Sequence, residues 1–158
     1  MILEEKVAQK LIKTKKTLSL AESCSGGLLS HRLTNIPGSS HFLKFSVVVY
    51  DNQAKIKLLS VPPLLIKRNG AVSEPVAIAM ARGIRKVLNT SFGISVTGIA
   101  GPGGGTKEKP VGLIYIGLAQ KSPAKSICQK YLFKGTRTQI KAKAVRAALK
   151  LLQKSLHA

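Results

Sequence analysis

The sequence predicts an α/β fold, a single three-layer α/β/α domain with a mixed β-sheet over residues 1–158. Helical and extended patterns alternate along most of the chain, and the last two extended patterns follow one another directly. Strands separated by helices pair in parallel, whereas consecutive strands pair antiparallel, so the sheet is mixed. A length of 158 residues and a hydrophobic content of 44% fit one domain with a sizeable core.

The chain begins with a predicted amphipathic helix over residues 2–15, in which apolar side chains recur every three to four positions. A short strand over 17–20 follows. It runs through 21–27 into a helix that ends near Leu33. Proline and glycine within 36–40 predict a loop.

The middle of the chain holds one predicted strand and two short helices. Residues 45–50 are apolar and rich in valine, which predicts a buried strand. A helix over 52–59 follows, with Asp51 as its N-cap. A second helix opens at a Pro-Pro pair and ends at an Asn-Gly pair, over residues 62–70.

The second half begins with a helix from Glu74, for which Ser73 is the predicted N-cap and Pro75 lies in the first turn. The predicted buried face of this helix holds Ala77, Met80, Ala81, Ile84 and Leu88. The remaining elements are strands over 94–97, 111–119 and 127–133 and a last helix from about residue 138. That helix has an apolar face opposite a stripe of basic residues.

The net charge of +20 is the most unusual feature of the composition, with 26 Lys and Arg against 6 Asp and Glu. Such a surface attracts polyanions, or draws small phosphorylated molecules toward a cleft. Aromatic content is only 4% and Trp is absent, which disfavours a module that stacks on bases. Nonspecific nucleic-acid contact follows from the charge alone, and a simple basic bias explains the charge equally well.

Several functional classes lack support in the sequence. Cys24 and Cys128 form no CxxC pair and the three histidines are scattered, so neither a metal site nor a disulfide framework is expected. No apolar run approaches the ~18 residues of a membrane span. The first residues mix acidic and basic side chains, unlike a secretory signal, so we expect a cytoplasmic protein.

The first candidate site is the segment Glu22-Ser23-Cys24-Ser25-Gly26-Gly27, where a strand passes into a helix. A hydroxyl there is placed to attack a carbonyl, and free backbone N–H groups at the helix start would stabilise the resulting oxyanion. The glycines would allow close approach of a ligand. A serine at such a position is more often only a helix cap, and spacing does not choose among Ser23, Cys24 and Ser25.

The second and third candidates follow two other predicted strands. Lys55, in Tyr50-Asp51-Asn52-Gln53-Ala54-Lys55, would act as a general base only if burial or positive neighbours lowered its pKa. An ordinary solvated lysine is the commoner outcome. The glycine-rich stretch from Gly98 to Gly105 matches neither a P-loop nor GxGxxG. It is either a pocket-lining loop, where Thr97 and backbone amides would hold a phosphate or ribose, or a flexible crossover.

Six stretches of the sequence occur in an order that is typical of one known family. These stretches are Ala21-Glu22-Ser23-Cys24-Ser25-Gly26-Gly27, Ile36-Pro37-Gly38-Ser39-Ser40, Tyr50-Asp51-Asn52-Gln53-Ala54-Lys55, Gly70-Ala71-Val72-Ser73-Glu74-Pro75, Val96-Thr97-Gly98-Ile99-Ala100-Gly101-Pro102-Gly103-Gly104 and Lys109-Pro110-Val111-Gly112. Taken together they resemble the CinA C-terminal domain family, which includes stand-alone nicotinamide-nucleotide amidases of the PncC type. The resemblance covers nearly the whole chain and weakens after about Gln120.

The resemblance implies hydrolysis of nicotinamide mononucleotide to nicotinate mononucleotide and ammonia in pyridine-nucleotide recycling, by a homodimer without a cofactor. Ser23 matches the family's nucleophile, Lys55 its base, and Tyr50 and Arg137 residues that support the pair or bind substrate. Arg137 would hold the phosphate and help keep Lys55 neutral. The full set of expected substrate-binding residues is Arg137, Ser25, Gly26, Gly27, Ser39, Ser40, Thr97, Gly98 and Gly101.

Two further points qualify the expected activity. Asp51 stands where the family motif often has Ser, and a carboxylate turned toward Lys55 would raise the lysine pKa. Ser39 and Ser40 are as well explained by a turn as by phosphate contacts. A CinA-like protein that binds a nucleotide or a partner without turnover, with a link to DNA uptake, is the alternative function.

Overall fold

The computed structural model describes residues 1–157, which form six α-helices and a five-stranded sheet. The helices are α1 (Leu3–Lys13), α2 (Leu28–Thr34), α3 (Asn52–Leu59), α4 (Pro63–Asn69), α5 (Glu74–Val87) and α6 (Arg137–His157). The strands are β1 (Leu18–Glu22), β2 (Leu43–Val48), β3 (Phe92–Gly98), β4 (Leu113–Gln120) and β5 (Lys125–Leu132). A 3-10 turn, Ser39–His41, precedes β2. Within residues 1–157, no helix is both long enough and apolar enough to cross a bilayer.

The sheet has the strand order β2-β1-β3-β4-β5 and is mixed, as predicted. β1 pairs in parallel with β2 and with β3, so that Ala21 lies between Val47 and Ser95. β4 and β5 extend the sheet antiparallel from β3. The carboxyl ends of β1, β2 and β3 therefore meet at one edge, and the segments that follow them are brought together there.

Helices cover both faces of the sheet, which confirms the predicted three-layer α/β/α architecture. On one face α1, α2 and α6 bury a large apolar cluster against β1, β3 and β4. On the other face α3, α4 and α5 cover a smaller cluster that includes Ala21, Val76 and Met80. All five residues of β1 are buried, because this strand has a strand on each side and a helical layer on each face.

Three local predictions were wrong. β2 is not a buried strand: it lies at the sheet edge and pairs only with β1, so Val48 is 46% exposed. Leu88 does not join the buried face of α5, because the helix ends at Val87 and the leucine side chain is 55% exposed. Ser73 occupies the N-cap position but makes no side-chain cap, since its hydroxyl donates instead to the carbonyl oxygen of Gly70.

We expect Gly117→Ala to destabilise the fold by about 1–3 kcal/mol, the range for an overpacked core. A Cβ at Gly117 would overlap the backbone carbonyl oxygen of Ala77 and meet Ser95 Oγ, so α5 would have to move away from the sheet. Urea denaturation measures the change in the free energy of unfolding. Gly103→Ala is the matched control, since a Cβ there meets no atom within 4 Å. Equal stability of the two variants would contradict the tight contact between α5 and β4.

Candidate active site

A pocket of about 270 Å³ opens at the edge of the sheet where β1, β2 and β3 end. Each predicted segment reaches it from the end of one strand: Ser23 follows β1, Tyr50 follows β2, and Thr97 is near the end of β3. Arg137, the first residue of α6, completes the wall. The predicted site residues that line the pocket are Ser23, Tyr50, Lys55, Thr97, Gly98, Gly101 and Arg137.

Ser23 and Lys55 are 32 residues apart in the chain and meet in the pocket. Lys55 Nζ lies 3.3 Å from Ser23 Oγ. The parallel pairing of β1 with β2 produces this contact, because it places the start of α3 beside the residue that follows β1. Lys55 is 1% exposed and Ser23 is 8% exposed, so both polar groups are largely removed from water.

The environment of Lys55 favours its neutral form. Burial lowers the pKa of the Lys55 ammonium from its ordinary value, while Asp51 and Cys24 act in the opposite direction more weakly. Asp51 is exposed and its carboxylate accepts a hydrogen bond from the backbone N–H of Gln53, so it caps α3 rather than pairing with Lys55. Burial therefore lowers the pKa of Lys55 more than the Asp51 carboxylate raises it.

The other contacts of Lys55 orient its lone pair. Nζ lies 2.9 Å from the carbonyl oxygen of Val49 and 3.2 Å from that of Tyr50. A neutral amine has two N–H bonds, which these two carbonyls accept. Its lone pair is then directed at the third neighbour, the hydroxyl of Ser23. This arrangement can accept the Ser23 proton.

Cys24 and Ser25, the other candidate nucleophiles, lack such a partner. Burial raises the pKa of the Cys24 thiol to about 12, so the sulfur stays protonated at neutral pH. The hydroxyl of Ser25 is buried without a hydrogen-bond partner within residues 1–157, and Ser25 does not line the pocket. Of the three neighbouring residues, only Ser23 has a base in contact.

The start of α2 is already occupied by a carboxylate. Glu22 is fully buried and accepts hydrogen bonds from the backbone N–H groups of Leu29 and Ser30, at 2.9 and 3.0 Å, and from the Ser30 hydroxyl. The sequence-based expectation of free N–H groups at this helix start is therefore wrong for its first turn. Glu22 acts as the helix cap that the sequence assigned to a serine.

Arg137 ties two parts of the pocket together. Its Nη1 donates to the carbonyl oxygen of Gly101 at 2.6 Å, and its Nη2 donates to the Tyr50 hydroxyl at 3.0 Å. Tyr50 is 62% exposed, so the pair forms the mouth of the pocket rather than its floor. Burial, and not the Arg137 charge, is the main cause of the lowered Lys55 pKa.

The glycine-rich segment lines the pocket, as one of the two sequence-based interpretations expected. Thr97 is buried, and its hydroxyl donates to the carbonyl oxygen of Ala71 at 3.0 Å, which holds that segment against β3. Gly98 has no room for a Cβ, because Ile114 and the carbonyl oxygen of Leu113 already fill the space. Within residues 1–157, no hydrogen bond uses the backbone N–H groups of Ala100 and Gly101.

Four other predicted residues do not line the pocket. Gly26 and Gly27 lie in the turn before α2, both with positive φ. Ser39 and Ser40 form the 3-10 turn that leads into β2, beside the amino-terminal ends of the parallel strands. The structure therefore places these two serines at the opposite edge of the sheet from Ser23.

Two residues near the pocket escaped the sequence analysis. Asn52 lines the pocket. It lies between Tyr50 and Lys55, but its residue type and spacing did not indicate a role in the site. Lys141 lies one turn after Arg137 on α6, and its Nζ is 3.4 Å from the position that a Cβ at Gly26 would occupy. The i,i+4 spacing from Arg137 is the signal that would have indicated it. Within residues 1–157, no group of three or more His, Cys, Asp or Glu side chains is placed to hold a metal ion.

Comparison with known proteins identifies the family of this chain. The model of the CinA C-terminal domain matches residues 1–156. A CinA-like protein of Endomicrobium trichonymphae is 49% identical over 146 residues, which is 92% of this chain and 34% of the relative. A CinA-like protein of Chlorobaculum tepidum is 48% identical over 151 residues, which is 94% of this chain and 36% of the relative. The chain thus spans about a third of the length of the curated relatives it matches.

Solved structures agree over the whole fold. The competence/damage inducible protein CihA of Agrobacterium tumefaciens is 36% identical with a TM-score of 0.92, covering 100% of this chain and 98% of that one. A CinA superfamily protein of Klebsiella pneumoniae is 30% identical with a TM-score of 0.93, covering 98% of this chain and 96% of that one. The chain belongs to the CinA family and corresponds to its C-terminal domain.

Proposed function

We propose that this protein hydrolyses a primary amide, with Ser23 as nucleophile and Lys55 as general base. The contact between Lys55 Nζ and Ser23 Oγ carries the proposal, because both groups are buried at the base of a pocket and the lysine pKa is lowered. Amide hydrolysis needs a nucleophile, a base and donors for an oxyanion. All three lie within this one pocket.

In the proposed reaction, neutral Lys55 takes the proton of Ser23 as Oγ attacks the amide carbonyl carbon. The C–N bond then breaks and the lysine returns this proton to the departing nitrogen, which leaves as ammonia. The acyl group is held as an ester on Ser23. Water attacks that ester, again with Lys55 as base, and releases the carboxylic acid with the serine restored.

The backbone N–H groups of Ala100 and Gly101 are the proposed oxyanion donors. Both residues belong to the glycine-rich segment and line the same pocket as Ser23, and neither N–H has a partner within residues 1–157. Arg137 holds this segment through the carbonyl oxygen of Gly101. Arg137 thus positions the donors, and through Tyr50 it also shapes the entrance.

Nicotinamide mononucleotide is the proposed substrate. The motif resemblance supports the pyridine amide, and the charges at the pocket support the phosphate. Arg137 lines the pocket and Lys141 lies one turn further along α6, and no carboxylate pairs with either within residues 1–157. Two such cations favour a dianionic phosphate group over a neutral end.

Lys141→Gln is expected to lower kcat/KM for nicotinamide mononucleotide about tenfold, the loss of one charge-assisted contact. The change should fall on KM, because the phosphate is remote from the reacting carbonyl. Turnover of nicotinamide riboside, which lacks the phosphate, should not change. Lys143→Gln, an equal loss of charge from the same helix, is the control. An equal effect on the riboside would contradict a phosphate contact.

Ammonia release from nicotinamide mononucleotide by the purified chain tests the proposal directly. Release that requires Ser23 supports it. If the chain binds the nucleotide without releasing ammonia, the alternative of a non-catalytic binding protein replaces the amidase. A coupled assay with glutamate dehydrogenase measures ammonia, and calorimetry measures binding, so the two results are distinguishable.

A further inference from the structure

A basic groove runs between α1 and α6, on the helical layer formed by α1, α2 and α6. It consists of two adjoining cavities of about 310 and 540 Å³. Both cavities are lined by Lys6 from α1 and Gln153 from α6, so they form one continuous depression, called here the α1/α6 groove. The pocket that contains Ser23 and Lys55 shares no lining residue with it.

Positive charge dominates the α1/α6 groove. Its lining includes six cationic side chains: Lys6, Lys10, Lys13, Arg32, Arg146 and Lys150. Glu4, which is also in the lining, is buried and forms an ion pair with Arg32. Glu5 accepts a hydrogen bond from the backbone N–H of Ile2. Within residues 1–157, Arg32–Glu4 is the only ion pair, so five of the six cations have no carboxylate partner.

The cations are arranged in two rows. Lys6, Lys10 and Lys13 recur at i, i+4 and i+7, on one side of α1. They span about 10 Å of helix axis, which is about three base-pair steps of 3.4 Å. Arg146 and Lys150 lie one turn apart on the facing side of α6. Like charges this close destabilise a surface unless an anion lies between them.

We propose that the α1/α6 groove binds the phosphate backbone of a double-stranded nucleic acid without reading its sequence. Regularly spaced cations suit a row of phosphates, and the side-chain amides of Gln9 and Gln153 add neutral hydrogen-bond donors. Among the described residues that line the groove there is no Phe, Tyr or Trp, so base stacking contributes nothing and a duplex fits better than a single strand. This binding is independent of the proposed amidase.

The test is the salt dependence of binding to a fluorescent mixed-sequence duplex, measured by anisotropy with the full chain. Five phosphate contacts predict a slope of log K against log salt of about −4.5, which is about a 500-fold loss of affinity between 50 and 200 mM salt. The variant Lys6→Gln/Lys10→Gln/Lys150→Gln should reduce the slope to about −1.8, a loss of about twelvefold over the same range.

The matched control removes the same net charge from other faces, as Lys57→Gln/Lys67→Gln/Lys125→Gln, and should keep a slope within one unit of the wild type. Circular dichroism and urea denaturation check that both variants are folded. Equal losses in the two triple variants would overturn the proposal in favour of diffuse charge. Binding to vesicles with anionic lipid but not to the duplex would also overturn it, as would tighter binding to a single strand.

Discussion

Replacing Ser23 with alanine is expected to reduce ammonia release from nicotinamide mononucleotide by about 10⁴-fold or more, as loss of a nucleophile does in other covalent hydrolases. The hydroxyl of Ser23 is the proposed attacking group, so no ester should form in its absence. The substrate Kd should change little, because Ser23 is buried in the pocket and the proposed phosphate contacts come from Arg137 and Lys141 on α6. Single-turnover kinetics separates chemistry from binding.

Ser25→Ala is the matched control for this variant. It removes the same atom two residues away, from a side chain that is buried and does not line the pocket. Since the Ser25 hydroxyl has no hydrogen-bond partner within residues 1–157, its removal should leave both turnover and stability nearly unchanged. If Ser23→Ala kept more than about a tenth of wild-type turnover, the nucleophile would have to be Cys24 or water.

Much of the fold could be predicted because its signals are local. The Asp51 cap, the Pro-Pro start of α4 and the alternation of helices with strands each depend on a few neighbouring residues, and the structure contains all of them. The edge position of β2 could not be predicted from its own sequence. A valine-rich sequence is compatible with a buried central strand and also with an edge strand that helices partly cover. Only the order of the strands in the sheet distinguishes the two.

The sequence likewise identifies only part of the residues that line the pocket. The resemblance to the family motifs predicts four central site residues: Ser23, Tyr50, Lys55 and Arg137. All four line one pocket in the structure. Ser39 and Ser40 fall at the opposite sheet edge because they precede a parallel strand, whereas the pocket lies where such strands end. Their position in the sequence, shortly after α2, does not indicate at which end of the parallel strands they lie.

The cap of α2 shows a different limit. A serine before a helix predicts a side-chain cap, and Ser23 and Ser25 were both suitable by spacing. The carboxylate of Glu22 takes that role instead, reaching backbone N–H groups seven and eight residues ahead. This contact depends on the tight turn over Ser23–Gly27, whose glycines have positive φ, and that geometry frees the Ser23 hydroxyl for Lys55. The helix cap and the proposed nucleophile are therefore adjacent residues, Glu22 and Ser23.

Replacing Lys55 with methionine is expected to lower turnover by about 10²–10⁴-fold, the contribution of a general base. In the wild type, kcat/KM should rise with pH through the lowered pKa of Lys55 and level off below 10.5, the ordinary lysine value. Lys55→Arg should be inactive across this range, because its guanidinium stays protonated. An activity that rises with pH in the methionine variant would assign the ionisation to another group.

The same pKa must govern stability, because a proton that binds the folded chain less tightly than the unfolded chain opposes folding. Below the lowered pKa of Lys55 the penalty for burying its ammonium is fully present. It is relieved as pH rises from that pKa to the ordinary lysine value. The free energy of unfolding of the wild type should therefore increase with pH across this window relative to Lys55→Met. Urea denaturation at several pH values measures the difference, and its onset should coincide with the midpoint of kcat/KM. A stability onset and a kcat/KM midpoint at different pH values would mean that the group that limits catalysis is not Lys55.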